Sequence, residues 1–115
     1  MRTKILIMKP DEPNESREVE LPREPSYSML RDLLSPIIGC SHIEHVAVLA
    51  DFKGGLKFQR ADMFVDEDGH ARGLAHNGNA TVIYQRNAIL HQGAKAEELS
   101  WIAGPAVLFE RIVWT

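Results

Sequence analysis

The stretch Ala61 to Tyr84, ADMFVDEDGHARGLAHNGNATVIY, constrains the fold more than any other, because it joins an apolar run, an acidic turn, a Leu-x-x-Asn step and a β-branched cluster. The run Ala61 to Val65 has strand length and stops at Asp66-Glu67-Asp68-Gly69, the chemistry of a hairpin turn, with Gly69 where a positive φ is most wanted. His70 to Leu74 is then expected to return as the partner strand. After Asn77-Gly78-Asn79 two readings stay open. Thr81, Val82, Ile83 and Tyr84 favour strand intrinsically, whereas Asn77 or Asn79 could cap a short helix toward Arg86.

The segments before this stretch read as sheet and one helix. Thr3 to Met8 is a strand stopped by Lys9-Pro10, and Arg17 to Leu21 alternates, with Val19 and Leu21 on one side, so the two pair antiparallel across a Pro and Asn turn. Beyond the Pro22 to Pro25 linker, Ser26 or Ser28 is the expected N-cap of a helix with apolar positions Met29, Leu30, Leu33, Leu34, Ile37 and Ile38. Pro36 should end that helix near Ser35 or leave only a distorted turn to Gly39. Ile43 to Ala50 is nearly all apolar and predicts a central strand. Asp51 to Gly55 connects it to Leu56 to Phe58 and Ala61 to Val65, two short strands or one interrupted by a bulge near Arg60.

Toward the end, the polar Gln92 to Glu98 has room for one helical turn. Trp101 to Ala103 and Ala106 to Val113 read as strand, with Gly104-Pro105 as a bend. The expected architecture is one α+β domain over residues 1–115. It has a single, mostly antiparallel sheet, the Met29 to Ile38 helix on one face, and a short second helix if the segment after Asn77 is helical.

Composition narrows the function classes. A chain of 115 residues with 44% hydrophobic and 25% charged residues supports one core without disulfide or metal. The net charge of −3, with no Lys and Arg run, disfavours nucleic acid as a partner. Cys40 is the only cysteine, so no internal disulfide is expected. The apolar run Ile5 to Met8 is too short for a signal peptide, and no stretch approaches the ~20 apolar residues of a membrane span. A soluble, cytoplasmic protein is expected.

Val65-Asp66-Glu67-Asp68-Gly69, Leu74-x-x-Asn77 with Ala80-Thr81, and Ile102-x-Gly104-x-Ala106-Val107 resemble a family of small proteins from phages, plasmids and bacterial genomes. That family carries only a domain-of-unknown-function label. The resemblance covers nearly the whole chain and implies a short helix after Asn77, a closing strand opened by a glycine, and a mobile-element origin; it implies no reaction. Ala75 stands in place of a frequent proline and Gly78 in place of a frequent basic residue. If that basic residue contacts a ligand in the family, the contact is missing here.

Candidate chemistry is sparse. Cys40-x-His42-x-x-His45, with Glu44 beside it, holds metal-ligating types, but no second Cys pair completes a site, and His42 and His45 face opposite ways on a strand. Setting Gly69 as the glycine of a calcium loop puts Phe64 at the first ligand position and Ala75 at the last, so the acidic turn fails as a calcium site. His70, His76 and His91 bracket the central stretch without a nucleophile motif, and Cys40 reads as a buried, inert thiol. No catalytic residue, metal or cofactor is expected.

Three function classes follow. The leading one is a non-enzymatic accessory protein that binds a host protein, or a second copy of itself, through surface acids such as Asp66 and Asp68 and through Trp114 as an aromatic anchor. The second is a small-ligand binder, nucleotide-like in preference, using Asn77, Arg72 and Arg86. The third is a metal-dependent enzyme built on Cys40 to His45.

Overall fold

The computed structural model describes residues 1–50, 59–111 and 113. Among the described residues five strands form one antiparallel sheet: β1 (Arg2–Met8), β2 (Glu15–Glu20), β3 (Ile43–Ala50), β4 (Gln59–Asp66) and β5 (Ala106–Phe109), in the order β2-β1-β5-β4-β3. Two helices complete the α+β fold, α1 (Tyr27–Ile38) and α2 (Gly78–Gln92), with a 3-10 turn at Ala96–Glu98. No helix among the described residues is long and apolar enough to cross a membrane. The expected strand at Leu56 to Phe58, the connection through Gly54-Gly55 and the terminal Trp114 lie outside the described residues.

Side-chain alternation along the strands sorts the core into two layers. Ile5, Ile7, Phe64, Val107 and Phe109 share one cluster with Leu30, Leu34 and Ile38 of α1. Met63, Val65, Ala106 and Leu108 join Ala80 of α2 in the other, which Tyr84 packs against. Since neighbouring residues on a strand point to opposite faces, the two helices cover opposite faces of the sheet. The second helix is therefore not short. At 15 residues it exceeds the 12 of α1, and it supplies a third layer.

The expected central strand is displaced. Ile43 to Ala50 ends the strand order, and the central position belongs to the four-residue β5, every residue of which is buried. An apolar run reports cover on both faces, and β3 receives it from α1 on one side and α2 on the other.

Helix α1 starts at Ser26, whose hydroxyl accepts the Met29 N–H at 3.2 Å, and runs through Pro36 to a left-handed Gly39. Proline removes a single helical N–H at the last turn, while Ile38 is held by burial and Gly39 N–H closes on Ser35 O at 2.8 Å. The chain thus stays α-helical to Ile38, where Pro36 leads one to expect an end near Ser35 or only a distorted turn to Gly39.

The acidic turn is not a hairpin. Asp66 accepts the Asp68 N–H through its side chain at 2.8 Å, and Arg72 N–H to Asp68 O and Leu74 N–H to Gly69 O wind residues 66–74 into consecutive turns. His70 to Leu74 consequently forms no strand. Gly69 does not take a positive φ either; a Cβ there would lie 2.6 Å from Ala103 O, so the residue serves close backbone approach. The expected strand around Trp101 to Ala103 reduces to one bridge between Ala103 and His76, and Gly104 makes the bend at φ +84°.

Candidate functional site

Asn77 caps α2 and closes a buried junction. Its side-chain oxygen accepts the Ala80 N–H at 3.2 Å, and its Nδ2 donates to Met8 O and Gly104 O, both at 2.9 Å. At 1% exposure its amide has no surface left for a ligand. Next to it, Gly104 N–H reaches Ala75 O at 2.8 Å, and a Cβ on Gly104 would meet Leu74 at 2.6 Å. Leu74, Asn77 and Gly104 thus meet in space as a joint between the start of α2 and the entry to β5.

The other expected ligand residues are Arg72 and Arg86. Arg72 forms an ion pair with Asp66, whose side chain is 1% exposed, and its guanidinium also faces Gly39 O at 3.4 Å. Arg86 is exposed on α2. Of the interface candidates, Asp66 is not a surface acid at all, since its carboxylate is buried against Arg72 and the Asp68 N–H. Asp68 is exposed, 4.0 Å from His42 Nδ1.

The Cys40 to His45 segment splits among different contacts. The Cys40 thiol donates to His42 O at 3.4 Å, and burial, followed by the nearby Asp66 carboxylate, pushes its pKa up, away from nucleophilic use. His45 Nε2 donates to the buried Asp62 carboxylate at 2.7 Å, whose other oxygen accepts the Val113 N–H at 2.7 Å. Among the described residues no three His, Cys, Asp or Glu side chains converge as a metal site.

A cleft of about 200 Å³ opens on the α2 side of the sheet. Val46 and Val65 line it from the sheet, Tyr84 from α2, and Ser100 to Ala103 from the segment that leads to β5. That segment is pinned by bonds to α2: Gln85 Nε2 donates to Ser100 O at 2.8 Å, and Ile102 N–H to Thr81 Oγ1 at 2.9 Å. Trp101 sits there 40% exposed, with the His70 ring 4.2 Å from its own and the His76 ring 5.2 Å away. His70 Nε2 also donates to Trp101 O at 2.5 Å; a carbonyl only accepts, so this nitrogen carries the proton. Glu44 from β3 and Glu67 from the turn add exposed carboxylates, and among the described residues no Lys or Arg lines the cleft.

Sequence reasoning named these residues without joining them. Glu44 reads in the sequence as a spare metal ligand, Glu67 as part of a turn, His70 and His76 as brackets, and Trp101 as a strand residue. The available signal was that Trp101 follows a polar loop and precedes a glycine bend, which puts a large aromatic at a surface rather than within a strand.

The fold is α+β, and the site is a cleft of aromatic and carboxylate groups on a three-layer scaffold. Comparisons with protein-family models, with curated proteins and with solved structures gave no match.

Proposed function

We propose that the chain is a non-enzymatic accessory protein that binds a partner protein through the Trp101 cleft, the partner being a host protein in the mobile-element setting that the family resemblance implies. The observation that carries this reading is the exposed indole of Trp101, with the His70 and His76 rings 4.2 and 5.2 Å from it. Large aromatics immobilised at a concave surface are the usual anchors of protein interfaces, because little side-chain entropy remains to be lost on binding. The Gln85, Thr81 and His70 bonds to residues 100–102 fix the main chain that carries the indole.

The nucleotide-like alternative draws no support from this cleft, since Glu44 and Glu67 repel phosphate. An enzyme built on Cys40 fares no better with a thiol held protonated. Native mass spectrometry of the protein isolated gently from its own host tests the reading. A co-purifying protein that is lost with Trp101→Ala is expected. A bare chain, or an adduct of small-molecule or metal mass, contradicts it.

A further inference from the structure

We infer that the Trp101 cleft takes a guanidinium group, an arginine side chain of the partner. The inference deepens the proposed function and rests on it for the source of the arginine. Three properties of the cleft converge on this chemistry.

The first is charge. Glu44, Asp66 and Glu67 line the cleft, Asp66 is balanced by Arg72, and the other two carboxylates are exposed with no Lys or Arg among the described lining residues. A cationic group therefore enters a site of opposite sign, where an anionic one is repelled. The second is the aromatic surface. Trp101 presents the best side chain for a cation–π contact, and Tyr84 lies within the same lining. The third is hydration and shape. A guanidinium is planar and weakly hydrated, so it can lie along an indole while its edge N–H groups donate to a carboxylate; an ammonium holds its water more strongly and has no flat face to stack. The apolar floor of Val46, Val65 and Ile102 suits the methylene stem behind the charged head.

The test uses the whole chain, labelled with ¹⁵N, and N-acetyl-arginine-N-methylamide as the probe, with the citrulline and lysine counterparts for comparison. The Trp101 indole signal is identified by its loss in Trp101→Phe. The arginine probe should move that signal together with the Glu67 and Ser100 amides, and the citrulline probe, equal in shape but uncharged, should bind at least about tenfold more weakly. Glu44→Gln with Glu67→Gln, both at exposed positions, should weaken the arginine probe by a similar factor while the remaining spectrum stays folded. Equal binding of citrulline, tighter binding of lysine, or indifference to the two Glu changes overturns the inference.

The two readings fail separately. A partner protein that covers the cleft without any arginine preference removes the guanidinium and keeps the proposed function. Binding of the arginine probe by a chain that captures no protein from its host does the reverse.

Discussion

Asn77 and Gly104, 27 residues apart in sequence, are joined by a buried hydrogen bond of 2.9 Å from the side-chain amide of the first to the carbonyl of the second. The same amide nitrogen holds Met8 O at the end of β1, so one side chain ties α2 to β1 and to the bend before β5 while capping the helix. Exchanging Asn77 for Asp separates the two tasks. The carboxylate keeps the cap, where Asn and Asp are equivalent at an exposed helix start, but it turns an oxygen toward two carbonyls. Asn77→Asp should cost about 2–4 kcal/mol in urea unfolding, at least as much as Asn77→Ala. A loss of a few tenths would reduce Asn77 to an ordinary cap.

Gly69 and Ala103 meet backbone to backbone, so Gly69→Ala should destabilise although φ there is ordinary. A methyl 2.6 Å from Ala103 O must displace the turn or the bridge between Ala103 and His76, at a cost of about 1–3 kcal/mol. Because Trp101 lies two residues away, its fluorescence should change in the folded variant. Gly78→Ala meets nothing within 4 Å and serves as the neutral comparison.

Cys40 should alkylate slowly. Burial and the Asp66 carboxylate hold its thiol protonated to higher pH than in the unfolded chain. The sign of the linkage follows: the folded form binds more protons above the unfolded thiol's pKa, so stability falls as pH rises through that range. Iodoacetamide should therefore react faster with the urea-unfolded chain than with the native one at pH 8. Equal rates would contradict the raised pKa.

Arg111 crosses from the end of β5 to the linker before α1, with Nε to Thr3 Oγ1 at 2.9 Å and the guanidinium nitrogens to Arg23 O and Pro22 O at 2.9 and 3.0 Å. Arg111→Lys keeps the charge but not the fork that spans three acceptors. It should lower stability by about 1–2 kcal/mol and speed amide exchange around Pro22 to Ser26. An unchanged exchange pattern would show that Arg111 does not hold the linker.

What was readable in the chain was local. Ser26 or Ser28 marked the start of α1, alternation at Val19 and Leu21 marked β2, and Gly104-Pro105 marked the bend, because each signal acts within a few residues. Strand order was not readable. The apolar content of β3 records cover by two helices, and nothing within Ile43 to Ala50 distinguishes that from a central position. The turn at Asp66 misled for the same reason. Its side-chain bond to the Asp68 N–H is local, but the pairing with Arg72 and the approach of Gly69 to Ala103 involve residues whose proximity only the fold creates. At Thr81 to Tyr84 the cap at Asn77 and burial against the sheet outweigh β-branched preference.

The site was scattered in the same way. Glu44, Glu67, His70, Tyr84 and Trp101 come from a strand, a turn, a helix and a loop, and no spacing relates them. Asn77, by contrast, was conspicuous because a polar residue before a helical stretch has a local meaning, and that meaning proved structural.

The most direct test of the account is a map of the partner's footprint. The protein that co-purifies with the chain is titrated into ¹⁵N-labelled chain, and amide and indole signals are followed residue by residue. The account requires the changes to centre on Glu44, Glu67, His70, Ser100 and Trp101, leaving the exposed side of α1 and the β1 to β2 pair still. Changes centred on α1 or β2, with the Trp101 indole unmoved, would contradict it.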